Sequence, residues 1–248
     1  MKTKTPISLN LIVCATVGNG IGKSGKLPWK LKKDMKYFKF ITSFIPSSKS
    51  TSRLKSTEIE NQNQNLKNVV IMGRKTWESI PRKFKPLENR INIIVSRKQT
   101  YESLGLSKDS KDVYLTNSIL NACEIIQTLN IYKTYLIGGS ELYNQIIKTP
   151  ILANIYELKT ILLTRVLGDD EGFECDTFLS DFKETGNWKM SDNQRFLEWI
   201  SLGIDEGEKI DLQDELGFNL FEVNDDDGNN QIEFQLWEPN SLASSKEN

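Results

Sequence analysis

The chain has 248 residues, 32 basic and 33 acidic side chains for a formal net charge of −1, and 38% hydrophobic residues, enough to bury a core. It contains no histidine, which excludes the Ser-His-Asp triad, Cys-His proteases, H-E-x-x-H zinc sites and histidine-ligated haem, and leaves Asp/Glu, Lys, Tyr or Cys to move protons. The near-neutral balance, with no sustained Lys/Arg stripe, argues against nucleic acid as the main ligand.

The apolar stretch from Ile7 to Val17 is too short and interrupted to span a membrane, and it predicts a buried strand over Leu9–Ala15. Gly20-Ile21-Gly22-Lys23-Ser24-Gly25 matches G-x-G-x-x-G, but Leu27-Pro28-Trp29 delays the helix that a dinucleotide fingerprint needs. A mobile, glycine-hinged loop is the better reading, the kind of segment that covers an active site. A helix is predicted over Leu31–Thr42, and in it Asp34 shares a face with Leu31, Met35 and Phe38. Two readings of Asp34 stand: a solvated partner of the helix dipole, or a buried acid whose raised pKa lets it hold a proton near neutrality.

Strands over Val69–Met72, Ile91–Ser96, Thr134–Ile137 and Tyr156–Thr164 alternate with helices over Thr76–Ile80, Ile119–Leu129 and Ser140–Ile147. That alternation predicts an α/β fold on a mostly parallel sheet, with ligands beyond the carboxyl ends of its strands. Gly138-Gly139 then falls at a strand-to-helix turn, suited to a phosphate or simply tight. Gly73-Arg74-Lys75-Thr76 and Ser96-Arg97-Lys98 also end strands, as clamps for an anion or as solvated charges. Arg90 is either a bidentate carboxylate partner or a rim charge. Phe218–Val223 and Ile232–Trp237, flanking Asn224-Asp225-Asp226-Asp227-Gly228-Asn229, predict a terminal antiparallel hairpin.

Ser43–Asn68 and Ser191–Glu215 lack a periodic apolar face and read as polar surface insertions in a single domain spanning 1–248. The second is acidic at Asp205, Glu206, Glu208, Asp211, Asp214 and Glu215, a solvated face or a docking surface. The 3 cysteines, Cys14, Cys123 and Cys175, form no C-x-x-C pair; reduced thiols, no metal site and a cytoplasmic protein are expected.

Gly20-Ile21-Gly22, Leu27-Pro28-Trp29, Asp34 with Tyr37-Phe38, the run Val70-Ile71-Met72-Gly73-Arg74-Lys75-Thr76-Trp77-Glu78-Ser79-Ile80-Pro81, and Arg90-Ile91-Asn92 together resemble dihydrofolate reductase, its fungal branch most. Leu136-Ile137-Gly138-Gly139-Ser140-Glu141-Leu142-Tyr143, Thr164-Arg165 and Asp176-Thr177-Phe178 follow in the same order. The resemblance implies a single-domain dihydrofolate-reductase-like fold, with a mixed but mostly parallel central sheet, flanking helices and a C-terminal antiparallel hairpin. It implies NADPH-dependent reduction of dihydrofolate to tetrahydrofolate for one-carbon metabolism, by a monomer that also binds antifolates such as methotrexate.

The same resemblance implies residue roles. Asp34 would accept the paired N–H and amino groups of the pterin and order the water that protonates N5, with the hydroxyl of Thr164 in that network. Trp29 and Leu27 would support the loop over the nicotinamide. Ile12, Met35, Phe38, Ile80, Leu87 and Ile137 would wall the substrate, joined by Val13, Cys14, Pro81 and Tyr143, and Arg90 would hold the α-carboxylate of the glutamate tail. The cofactor would lie along Ala15, Ile21, Gly22, Gly25, Gly73, Ser96 and the stretch Ile137, Gly138, Gly139, Ser140, Glu141, Leu142, Tyr143, the Gly138–Gly139 bond being cis. Lys75 and Thr76 would meet its phosphates, and Arg74, Arg97 and Asn117 would lie near the 2′-phosphate. Three positions depart from the family pattern: Asp34 stands where animal and fungal members usually carry Glu, Cys14 where Ala is general, and Asn117 where a basic residue is frequent. The other readings are a pteridine- or pyrimidine-reducing relative, such as the reductase of riboflavin synthesis, and a non-catalytic binding protein using the acidic insertion.

Overall fold

The computed structural model describes residues 5–46, 66–168, 172–202, 204, 210–226 and 230–240. In chain order these form β1 (Ile7–Thr16), β2 (Gly20–Gly22), α1 (Lys32–Ser43), β3 (Lys67–Gly73), α2 (Arg74–Ser79), β4 (Arg90–Val95), β5 (Val113–Thr116), α3 (Ile119–Ile126), β6 (Ile131–Leu136) and α4 (Ser140–Lys148). There follow β7 (Ile151–Leu152), β8 (Tyr156–Val166), β9 (Thr177–Phe178), β10 (Trp188–Met190), α5 (Asn193–Ser201), α6 (Leu212–Leu216), β11 (Asn224–Asp226) and β12 (Asn230–Pro239).

The main sheet runs β10-β12-β8-β1-β6-β3-β4-β5, with β11 added to β12 and β7 to β8. From β8 to β5 every neighbouring pair is parallel, whereas β12 and β10 join antiparallel. The carboxyl ends of β1, β3, β4, β5, β6 and β8 therefore share one edge, where an open α/β sheet binds its ligands. Strands covered on both faces need unbroken apolar runs rather than alternation, as Val69-Val70-Ile71-Met72 supplies, buried throughout. Along β1, Leu9, Leu11, Val13 and Ala15 face a core shared with α3 and α4, while Ile12 and Cys14 face the core beneath α1.

Buried amides tie α1 to this sheet. Asn68 donates to the carbonyls of Thr42 and Phe44, 3.0 Å each, and accepts the backbone N–H of Lys133 at 3.0 Å, so one side chain links the end of α1 to β3 and β6. Nearer the middle of α1, Tyr37 is fully buried, and its hydroxyl has no hydrogen-bond partner among the described residues. An unsatisfied buried hydroxyl costs about 1–3 kcal/mol. Tyr37→Phe is therefore expected to leave the thermal midpoint unchanged or raise it; a drop of several degrees would show that the hydroxyl is used.

Each strand and helix expected between Leu9 and Thr164 is present, within a few residues of its expected ends. Other expectations need correction. Ser191–Glu215 is not an aperiodic insertion: α5 buries Phe196, Trp199 and Ile200, and α6 buries Leu212 and Leu216, against the same sheet face as α1. Phe196, Trp199 and Ile200 have helical spacing, which the acidic composition around them obscures, and the acids Asp192 and Asp211 cap the two helices. Asp205, Glu206 and Glu208 lie outside the described residues, as does the interior of the first insertion, 47–65. Phe218–Val223 is not a strand either; β12 pairs with Asn224–Asp226, and Phe218 and Leu220 turn into the core instead.

Candidate active site

Asp34 lies in the first turn of α1 and is only 9% exposed. Its charge reaches two phenols: burial pushes Tyr37 and Tyr143 well above the usual tyrosine range, and the nearby Asp34 carboxylate adds to both effects. The Tyr143 hydroxyl donates to the Ile12 carbonyl at 2.6 Å, which brings α4 over β1 beside Cys14. Thr164, fully buried on β8, pairs in register with Cys14 of β1 on one side and Phe234 of β12 on the other. Tyr143 thus links the Asp34 carboxylate to the Ile12–Cys14 stretch of β1, beside which Thr164 lies in register. Trp29 packs edge-on against Phe173, ring centroids 5.3 Å apart, and its buried Nε1 has no partner among the described residues.

Further along α1 lies a second charge. Arg90 is 6% exposed at the start of β4; its Nη1 donates to Thr42 Oγ1 at 2.7 Å and its Nε to the Glu88 carbonyl at 2.9 Å. Loss of water pulls the guanidinium down to about 10, partly opposed by the Glu88 carboxylate, so it stays charged at neutral pH. No carboxylate among the described residues forms an ion pair with it. The loop that presents it is fastened by Asn92, whose amide binds the N–H and carbonyl of Leu87 at 3.0 Å each and the Arg90 carbonyl at 3.0 Å. The sequence alone assigns no site role to Thr42 or to Asn92. A polar Asn inside the apolar run of β4, and a Thr one turn beyond Phe38, were the available signals.

On the shared carboxyl edge, Gly73 N–H donates to the Gly138 carbonyl at 2.7 Å and Ile137 N–H to the Ile71 carbonyl at 2.9 Å, so the turns after β3 and β6 meet. The Gly138–Gly139 bond is cis, as the resemblance implied. Gly138 has φ +124°, and a β-carbon there would stand 3.0 Å from Thr76 Oγ1 and 3.5 Å from the Tyr143 hydroxyl, so only glycine keeps this surface open. Ser140, Glu141, Leu142 and Tyr143 open α4 directly after it. Beyond β4 and β5, a cavity of about 480 Å³ is lined by Ser96, Arg97, Tyr101, Thr116, Asn117 and Asn121, among others. Arg97 at its rim pairs with Glu141 at 2.7 Å, and Arg74 with Glu78 at 2.6 Å, both in solvent.

The glycine-hinged loop is more ordered than its sequence suggests: β2 within it pairs with β9. Ser24 N–H donates to Asp176 at 2.6 Å, Lys23 pairs with Glu174, and these contacts hold both carboxyls below the usual range, the Ser24 bond leading for Asp176 and the Lys23 bond for Glu174. Gly22 is buried there and Ile21 half-buried, whereas Gly25 and Leu27, the latter 54% exposed, lie on the surface. Phe38, Ile80 and Leu87 are half-buried against the core beneath α1, with Ile137 buried beside them. Pro81, Lys75 and Met35, the last 54% exposed, lie outside that core. Val13 and Ala15 point to the opposite face of the sheet and can reach this site through backbone only.

A family model described as dihydrofolate reductase matches residues 54–198. Similar proteins include the dihydrofolate reductase of Cryptococcus neoformans var. neoformans serotype D, 36% identical over 225 residues, which cover 83% of this chain and 90% of that one. That of Pneumocystis carinii is 34% identical over 211 residues, 81% of this chain and 89% of its own. That of Candida albicans is 36% identical over 165 residues, 64% and 69% of the two chains. With its buried carboxylate, buried arginine and paired glycines at one sheet edge, the chain belongs to the dihydrofolate reductase family.

Proposed function

We propose that the protein reduces 7,8-dihydrofolate to 5,6,7,8-tetrahydrofolate with NADPH. The observation that carries this is helix α1 itself, with Asp34 buried at one end and Thr42, the hydrogen-bond partner of Arg90, eight residues on, roughly 12 Å along the axis. Such a pair suits an elongated ligand with a guanidinium-like edge at one end and a carboxylate at the other, as folates have. Asp34 accepts the pterin's ring N–H and amino group as a fork, and Arg90 binds the tail carboxylate. Ile12, Phe38, Ile80, Leu87 and Ile137 exclude water between them, with Met35 at the rim.

The nicotinamide cofactor supplies the hydride for C6. The open glycine surface at Gly138-Gly139, the meeting turns after β3 and β6, and the polar cavity beyond Ser96 fit a dinucleotide laid along the carboxyl edge. Asp34 raises the basicity of N5 by holding the pterin, and Trp29 Nε1 is a donor available to order the water that delivers the proton. Thr164 adds its hydroxyl to that network. The cysteines form no disulfide, which suits a cytosolic protein, and we take the working unit to be a single-domain monomer.

Binding tests this reading without turnover. Methotrexate should raise the thermal midpoint progressively with concentration, as a ligand of the native state must; no shift at saturating ligand would contradict a folate site. The preference for NADPH has its own check. A 2′-phosphate would draw Arg97 away from Glu141, and Arg97→Ala removes the cation while leaving that carboxylate at the rim. We expect it to weaken NADPH about 10-fold or more and NADH hardly at all; equal weakening would remove Arg97 from the 2′-phosphate.

A further inference from the structure

The N-cap of the helix that carries Asp34 is Leu31, which gives no side-chain hydrogen bond, so what packs on the first turn contributes to its orientation. Much of that packing comes from the segment after β10. Phe218, which follows α6, is buried and stacks on Phe234 of β12 with ring centroids 5.6 Å apart and planes 21° apart. Phe234 in turn lies against Tyr37 at 4.5 Å, and Tyr37 sits on α1 one turn beyond Asp34. The amine of Lys33, beside Asp34 in sequence, lies over the Phe218 ring at 5.8 Å. At the end of α6, Gly217 has φ +68°, and a β-carbon there would stand 3.1 Å from Lys36 Nζ, so α6 ends directly against α1. Phe234 also neighbours Thr164 in register, which ties the same stack to the hydroxyl expected to share the pterin with Asp34.

We propose that Phe218, acting through Phe234 and Tyr37, is a positioning residue for the Asp34 carboxylate, and that α6 with Phe218 after it sets the depth and direction of Asp34 in the cleft. This rests on the folate reading above for its kinetic consequence only. The Tyr37 hydroxyl has no partner among the described residues, so it is the Tyr37 ring, packed on Phe234, that anchors this side chain. A misplacement on the order of 1 Å in a group that positions substrate costs up to roughly 100-fold in rate.

The test uses the full chain and compares Phe218→Ala with Phe218→Leu, which restores most of the lost volume. Two readouts are taken: the carboxyl titration of Asp34 by ¹³C NMR, and kcat, its pH profile and both KM values with dihydrofolate and NADPH. Tyr37, Tyr143, Lys33 and Lys36 are common to every variant, so the comparison isolates the carboxylate's placement. We expect Phe218→Ala to displace the Asp34 titration, lower kcat about 10-fold or more with an altered pH profile, and leave the KM for NADPH within about 2-fold; Phe218→Leu should return both readouts most of the way. If Phe218→Ala does not fold, Phe218→Val makes the same comparison. An unmoved Asp34 titration in a folded variant would overturn the proposal, as would kcat and NADPH affinity falling together. Absence of turnover in the unaltered protein would instead refute the folate reading, and the NMR titration would still decide the positioning role.

Discussion

Replacing Asp34 by Asn is expected to lower turnover at pH 7 by roughly 100- to 10,000-fold, the range that a positioned proton-transfer group contributes. The amide is nearly the same size, so the fold should stay, and NADPH should bind as before because its expected contacts lie on the carboxyl edge rather than on α1. The amide also presents a donor where the pterin offers two donors, so one hydrogen bond becomes a clash and the protonated pterin loses its counter-charge. Residual turnover should increase as the pH falls, since solvent must then supply the proton. Steady-state rates from pH 5 to 9 check this. Turnover within a few-fold of the unaltered protein at neutral pH would remove Asp34 from the chemistry.

The second large effect is expected at Arg90. Arg90→Leu should weaken dihydrofolate and methotrexate by about 2–5 kcal/mol, at least roughly 30-fold, because the ligand's carboxylate would be desolvated with no cation to meet it. A reduced pterin without a carboxylate tail should bind the variant as well as the parent. Stability should change little, since a buried guanidinium is exchanged for an apolar chain and only Thr42 and the Glu88 carbonyl lose a donor. Titration calorimetry with both ligand types separates the cases. Equal losses for tailed and tailless ligands would mean that Arg90 shapes the Leu87–Arg90 loop and does not bind the carboxylate.

Much of this architecture was legible in the sequence where one signal dominates. Val69–Met72 and Tyr156–Thr164 are unbroken apolar runs, and buried parallel strands leave little else for such runs to be. The face of α1 was legible from Leu31, Asp34 and Phe38, although Met35, placed on the same face by spacing, points to solvent. Short edge pieces such as β5 and β10 gave too few residues for a pattern. The failure at α5 and α6 has a different cause: acidic residues near Phe196, Trp199 and Ile200 lowered the average hydrophobicity, whereas three large apolar side chains at helical spacing are enough to hold a helix down.

At the site, the titratable groups were legible and their supports were not. Asp34 and Arg90 stand out because a charge beside apolar residues needs a reason. That Thr42 and Asn92 hold Arg90 and its loop, that Phe173 packs on Trp29 and that Phe234 packs on Tyr37 depends on which elements meet across the sheet, and residues so distant in sequence carry no local mark of it. The engagement of Arg74 with Glu78 was within reach as an i, i+4 pair, while that of Arg97 with Glu141 required the order of β4, β3 and β6.

The measurement that tests the account most directly is the loss of reduced-nicotinamide absorbance when purified protein meets NADPH and dihydrofolate, with Asp34→Asn and a methotrexate-inhibited sample alongside. The account predicts turnover that yields tetrahydrofolate, stops with methotrexate and collapses in Asp34→Asn. NADPH oxidation that ignores methotrexate and survives in Asp34→Asn, or no oxidation by folded protein that binds both ligands, would contradict it.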